Sequence, residues 1–220
     1  MSSNDVQAGK PWYLAHGVLM TLAWIVLIPL GTLMAIYGNE TTGTDGTVQR
    51  SRPSFYISHR NLTLAGALLT SIGFSMAFVG NLKAFGTGNP SFFWDFGDRT
   101  IAGNRHVAVG FCVFLLSFIE ILLGIWYRFR EVWYNADASR SDSSDGPVWK
   151  NPVLQYWLHV LFGYGLMVSA FTAVVMGFQM FGFLFGDEVV VGVRVGYGVS
   201  AFFCSLFLGA AAKEKILLSR

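Results

Sequence analysis

Long apolar runs separated by short polar stretches set the rhythm of this chain. The apolar runs extend from Trp12 to Tyr37, Phe55 to Leu82, His106 to Tyr127, Pro152 to Phe185 and Val195 to Ala212. A helix crosses about 30 Å of hydrocarbon with about 17–25 mostly apolar residues, because lipid offers no partner to a bare backbone N–H or C=O. All five runs meet that length, so the pattern predicts five transmembrane helices.

The connections have turn chemistry. GNETTGTDGTVQRSRP follows the first run, KAFGTGNPSFFWDFGDRTIAGN the second and NADASRSDSSDGP the third. Such Gly/Ser/Asp/Asn/Pro-rich stretches read as solvated loops rather than further domains, leaving one domain over residues 1–220. Short loops make consecutive spans antiparallel. The first four spans then form an up-down-up-down bundle with the fifth at its side, the first facing the third across the bundle and the second facing the fourth.

Composition sharpens this picture. Of the 220 residues, 53% are hydrophobic and 13% charged, a membrane composition. The opening MSSNDVQAGKP is polar, and the first span is longer than a signal-peptide core and lacks a small-residue cleavage pattern, so it reads as retained. A formal charge of +2 with no basic stripe argues against a nucleic-acid partner. Cys112 and Cys204 fall within apolar spans and read as small buried hydrophobes.

Basic residues orient the bundle. Lys10, Lys83, Arg99, Arg105 and Arg194 fall on one side, against ten on the other, Arg50, Arg52, Arg60, Arg128, Arg130, Arg140, Lys150, Lys213, Lys215 and Arg220. The positive-inside rule makes the richer side cytoplasmic, with the N-terminus outside and the C-terminus inside. Asn39-Glu40-Thr41 is a glycosylation sequon that this orientation places in the cytoplasm; the charge rule is preferred.

The chemistry gathers on the histidines. His16, His59, His106 and His159 are all the histidines present, each early in a different one of the first four spans. With alternating helix directions, His16 and His106 share the outer layer, and His59 and His159 the cytoplasmic one. Each pair sits on opposed helices, the arrangement in which two imidazoles ligate one flat porphyrin from both faces. At 1.5 Å rise per residue the layers are on the order of 20 Å apart. Gly110 and Gly163 lie four residues after His106 and His159, on the same helix face, where a missing side chain leaves room for a macrocycle. No CxxCH occurs, which points to b-type haem, and two histidines per iron leave no open position, favouring electron transfer. Histidines acting only as interhelical hydrogen-bond partners are the simpler alternative.

AHGVLMTLAWIVLIPLG around His16, SFYISHRNLTLAG around His59, RHVAVGF around His106 and WLHVLFGYGL around His159 resemble the transmembrane core of the cytochrome b561 family, over nearly the whole chain. The HG-LM opening and the His59-Arg60 pair are most similar to the branch in which this core is fused to an extracellular DOMON domain, which this sequence lacks. The resemblance implies two haem b groups, one held by His16 and His106 outside and one by His59 and His159 inside. It also implies electron flow from cytoplasmic ascorbate to an outer acceptor such as monodehydroascorbate or a ferric chelate.

Other residues complete the expectation. Arg60 and Arg105 neighbour ligands and are candidates for haem propionates or an anionic substrate, or else snorkel to headgroups. Arg50, Arg52 and Lys150 are candidate ascorbate contacts, with a purely topological role as the alternative. Glu120, 14 residues after His106, points into the bundle, where the family more often has a neutral amide. Phe92, Phe93 and Trp94 read as an interfacial belt. Two other functions stay open: a haem-free transporter or channel with a His/Glu proton relay, and a haem-bearing anchor subunit for a soluble redox enzyme. A homodimer is compatible with each.

Overall fold

The computed structural model describes residues 3–37, 40–42, 48–50, 53–85, 101–138 and 152–185, with Gly198. The first helical rod runs through α1 (Ser3–Thr21), a π-helical turn (Leu22–Leu27) and α2 (Ile28–Tyr37). A short antiparallel pair follows, β1 (Glu40–Thr42) against β2 (Val48–Arg50), with Thr41 opposite Gln49. Then come α3 (Pro53–Phe85), α4 (Ile101–Ala138) and α5 (Pro152–Phe185).

Among the described residues, four stretches are long and apolar enough to cross a membrane: Ala8–Ala35, Tyr56–Lys83, Arg105–Trp126 and Trp157–Gly182. The protein is a multi-pass integral membrane protein, and its described residues are helical apart from the small hairpin in the first connection. The expected fifth span, 195–212, lies outside the described residues, as do Cys204 and the aromatic run at 92–94.

The outer surface has the polarity of a lipid-facing bundle. Val18 in α1, Leu68 in α3, Leu122 in α4 and Leu161 in α5 are 58%, 62%, 64% and 64% exposed. Hydroxyls inside the spans donate to their own helix four residues back, as Thr70 does to Gly66 and Ser169 to Gly165, so their donors are satisfied even on the exposed faces.

The rod packs along α3, α3 meets α4, α4 packs along α5, and α5 returns to the rod. This closes a ring of four antiparallel neighbours, with the rod opposite α4 and α3 opposite α5. The core at mid-depth is built from Ala23, Trp24, Val113, Leu166 and Ala170. Small residues on the rod and α5 let those helices approach closely, the usual device where lipid and side chain are equally apolar. Phe74 of α3 stacks on Phe114 of α4 with centroids 4.2 Å apart, tying the other pair of neighbours together.

The π-helical turn has a local cause. Pro29 cannot donate to the carbonyl of Ile25. The chain before it widens instead, and the N–H of Ile28 donates five residues back to Ala23. The turn therefore holds one residue more than an α-helix over the same rise.

Candidate functional site

The four histidines meet across the bundle in two pairs. His16 and His106 have ring centroids 6.0 Å apart and planes at 77°. His59 and His159 have centroids 6.3 Å apart and planes at 72°. A metal bonded to one imidazole nitrogen on each side at about 2.0–2.1 Å places the two ring centres about 6.3 Å apart, so both pairs have the spacing of two ligands on one metal. The near-perpendicular planes are compatible with this, because each ring is free to turn about its own metal–nitrogen axis.

Three of the four rings are oriented by backbone carbonyls. Nδ1 of His16 donates to the Gly73 carbonyl at 2.8 Å, Nδ1 of His59 to Gly31 at 3.0 Å, and Nδ1 of His106 to Ala173 at 2.8 Å. Each bond leaves Nε2 as the free nitrogen, and metal-bound histidines ordinarily carry such an outer hydrogen bond. A helical carbonyl already accepts from its own helix, so a second donor must come very close, which small residues permit. Gly177 shows the same constraint: a Cβ there would lie 2.8 Å from His106 Cε1.

A repeated spacing lies behind these contacts. Each helix supplies one histidine and, further along, the group that meets the Nδ1 of the neighbouring antiparallel helix. The separation is 14 residues from His59 to Gly73, from His106 to Glu120 and from His159 to Ala173, but 15 from His16 to Gly31. Fourteen residues rise about 21 Å, close to four turns. The extra residue in the first rod is the one absorbed by the π-helical turn, which keeps Gly31 facing His59.

His159 departs from the pattern. Its Nδ1 lies 2.8 Å from Oε1 of Glu120, a side chain rather than a carbonyl. The approach is not aligned as a hydrogen bond, and among the described residues His159 Nδ1 and Glu120 Oε2 are the buried side-chain polar atoms without one. Glycines shape this dyad: a Cβ on Gly124 would lie 3.3 Å from His159 Cε1, and one on Gly163 would lie 2.6 Å from Glu120 Oε1. The space expected beside Gly163 for a macrocycle is thus taken by Glu120.

Gly110 meets the expectation differently. A Cβ there, or on Gly17, would have nothing within 4 Å. Both line an open cavity of about 690 Å³ together with His16, His106, Phe74 and Trp24. That volume is in the range of cofactor sites, about 300–1,000 Å³. With two free Nε2 atoms, metal-compatible spacing and missing side chains on both sides, the residues present fit a haem. Tyr13, whose hydroxyl donates to Asn81 Oδ1, and Asn81 itself place polar groups in the cavity wall.

Other expected residues are more dispersed. Arg60 is exposed, with Nε and Nη2 3.4 Å from Asn61 Oδ1, and Arg105 is exposed at the start of its span. Arg50 belongs to β2, while Arg52, Lys150 and Asn39 lie outside the described residues. Cys112 is exposed rather than buried, facing outward from α4. Among the described residues no group of three or more His, Cys, Asp or Glu side chains is assembled as a metal site.

No family model matches the chain, and no solved structure does. The chain is 23% identical, over 224 aligned positions, to a cytochrome b561 and DOMON domain-containing protein of Arabidopsis thaliana. That alignment covers 97% of this chain and 45% of the relative, so the chain spans about half the length of the curated protein it matches. The four-span membrane bundle with its opposed histidine pairs is thus distantly similar to a protein named for a cytochrome b561 module.

Proposed function

We propose that this protein carries electrons across a membrane through two b-type haems, one held by His16 and His106 and the other by His59 and His159. The observation that carries the reading is the pair of imidazole couples, 6.0 and 6.3 Å between centroids, with Nδ1 turned outward to a partner in each. A lone pair of ligands suits an iron whose remaining positions are filled by a macrocycle. Bound haem supplies a one-electron ferric/ferrous couple with both axial positions closed to substrate.

The protein's own part is to fix the rings and exclude water. Gly73, Gly31 and Ala173 orient three ligands and Glu120 meets the fourth, while the apolar layer around Trp24 separates the two couples. The spacing of about 21 Å along each helix sets the layers apart, and a macrocycle at each would bring conjugated edges much closer.

By the charge rule the His59/His159 couple is cytoplasmic and the N-terminus outside. The resemblance then favours cytoplasmic ascorbate as donor, with Arg50, Arg52, Arg60 and Lys150 as contacts, Arg105 near the outer couple, and monodehydroascorbate or a ferric chelate as acceptor. Purified protein in vesicles loaded with ascorbate should reduce external ferricyanide or ferric citrate, and empty-vesicle rates in its presence would contradict the reading. Arg60→Ala and Lys150→Ala should slow reduction of the cytoplasmic haem by ascorbate while leaving dithionite reduction intact.

The Glu120–His159 contact also favours a second reading, a haem-free proton relay. It predicts pH-driven flux from a colourless protein.

A further inference from the structure

Three of the four ligand histidines meet the same chemistry, a neutral peptide carbonyl. The fourth, His159, faces a carboxyl group at 2.8 Å. Glu120 occupies the position that Gly31, Gly73 and Ala173 occupy on the other helices, so an acidic residue stands at one point of a fourfold pattern where the other three are small. Two glycines open the space for it, Gly163 beneath the carboxyl and Gly124 beneath the imidazole. Glu120 is 17% exposed, and its Oε2 is buried without a hydrogen bond. A buried polar atom in this state costs free energy, and a redox role is one of the reasons such a group is kept.

A carboxylate 2.8 Å from Nδ1 sets negative charge beside the imidazole even without an aligned hydrogen bond, where a peptide carbonyl sets only a dipole. Negative charge beside an axial ligand stabilises the more positive ferric state over the ferrous one. We propose that Glu120 acts as a positioning residue that makes the His59/His159 haem the lower-potential of the two, giving the electron path a built-in direction toward the His16/His106 haem. The inference rests on the two-haem reading above. It needs no second substrate, since one electron leaves one ferrous iron and reduces the other ferric iron.

The test is potentiometric titration followed by visible absorbance, on purified haem-loaded protein. Wild type should show two unequal midpoint potentials, and His16→Ala, which keeps the Glu120-side haem, should retain the lower one. Glu120→Gln should raise that lower potential by about tenfold in the redox equilibrium constant, 59 mV for a one-electron couple, at unchanged haem content. Gly163→Ala keeps the acid but drives a methyl to within 2.6 Å of Oε1, and should shift the same potential in the same direction. Equal potentials in wild type, the higher potential surviving in His16→Ala, or an unmoved potential in both Glu120→Gln and Gly163→Ala would overturn the proposal. Wild type without haem would instead overturn the electron-transfer reading itself.

Discussion

Gly177 of α5 lies directly beneath the imidazole of His106, so close that a methyl group in its place would sit 2.8 Å from Cε1. Real Cβ atoms do not pack at that distance, so either the ring or the helix must move. Gly177→Ala should pull His106 Nδ1 off the Ala173 carbonyl and lower pigment content toward one haem per chain, leaving the His59/His159 site filled. Haem quantified against protein, with the His16→Ala variant as reference spectrum, checks this.

Gly110 gives the opposite test, because a side chain there meets no protein atom within 4 Å. On packing grounds alone Gly110→Leu is harmless, and helix propensity favours it by roughly 1 kcal/mol. If the 690 Å³ cavity belongs to a macrocycle, the new side chain occupies its place. The variant should reach the membrane at wild-type levels yet lose the His16/His106 haem. Full pigment in Gly110→Leu would assign the cavity to something else.

The π-helical turn makes a register prediction. Deleting Val26, which is exposed, shortens the His16–Gly31 interval from 15 residues to the 14 found in the other three helices. The deletion should convert the turn to regular α-helix and retain both haems. Deleting Leu68, also exposed but in unbroken α-helix, rotates the rest of α3 by about 100° relative to His59 and should abolish at least one. Reduced-minus-oxidised spectra of the two deletions decide between register and mere length.

Much of this was legible in the sequence. Apolar runs mark four spans because length and polarity alone decide what can cross hydrocarbon. The pairing of His16 with His106 and of His59 with His159 followed from alternating helix direction, and the rings do face one another in those couples. Helix ends were less legible: α1 begins at Ser3 and α4 continues to Ala138, since polar residues extend a helix beyond the bilayer without any apolar signal.

The groups that hold the histidines escaped the sequence reading for a different reason. A backbone carbonyl has no residue type of its own, so Gly31, Gly73 and Ala173 look like ordinary small residues in a span. A signal was available, however: a small residue follows each histidine by 18 or 19 positions, at Ala35, Ala77, Gly124 and Gly177. Eighteen residues are five whole turns, which returns to the same face. Glu120 was expected to point into the bundle from its offset to His106. Its partner, His159 on α5, came only from three-dimensional packing.

Haem content in single histidine variants tests the account most directly. Wild type purified in detergent should contain two b-type haems per chain, and replacing any one of His16, His59, His106 or His159 with alanine should remove about one of them. His16→Ala and His106→Ala should leave the same residual spectrum, and His59→Ala and His159→Ala its complement. A colourless wild type, or four variants that all keep full pigment, would contradict the paired-ligand arrangement.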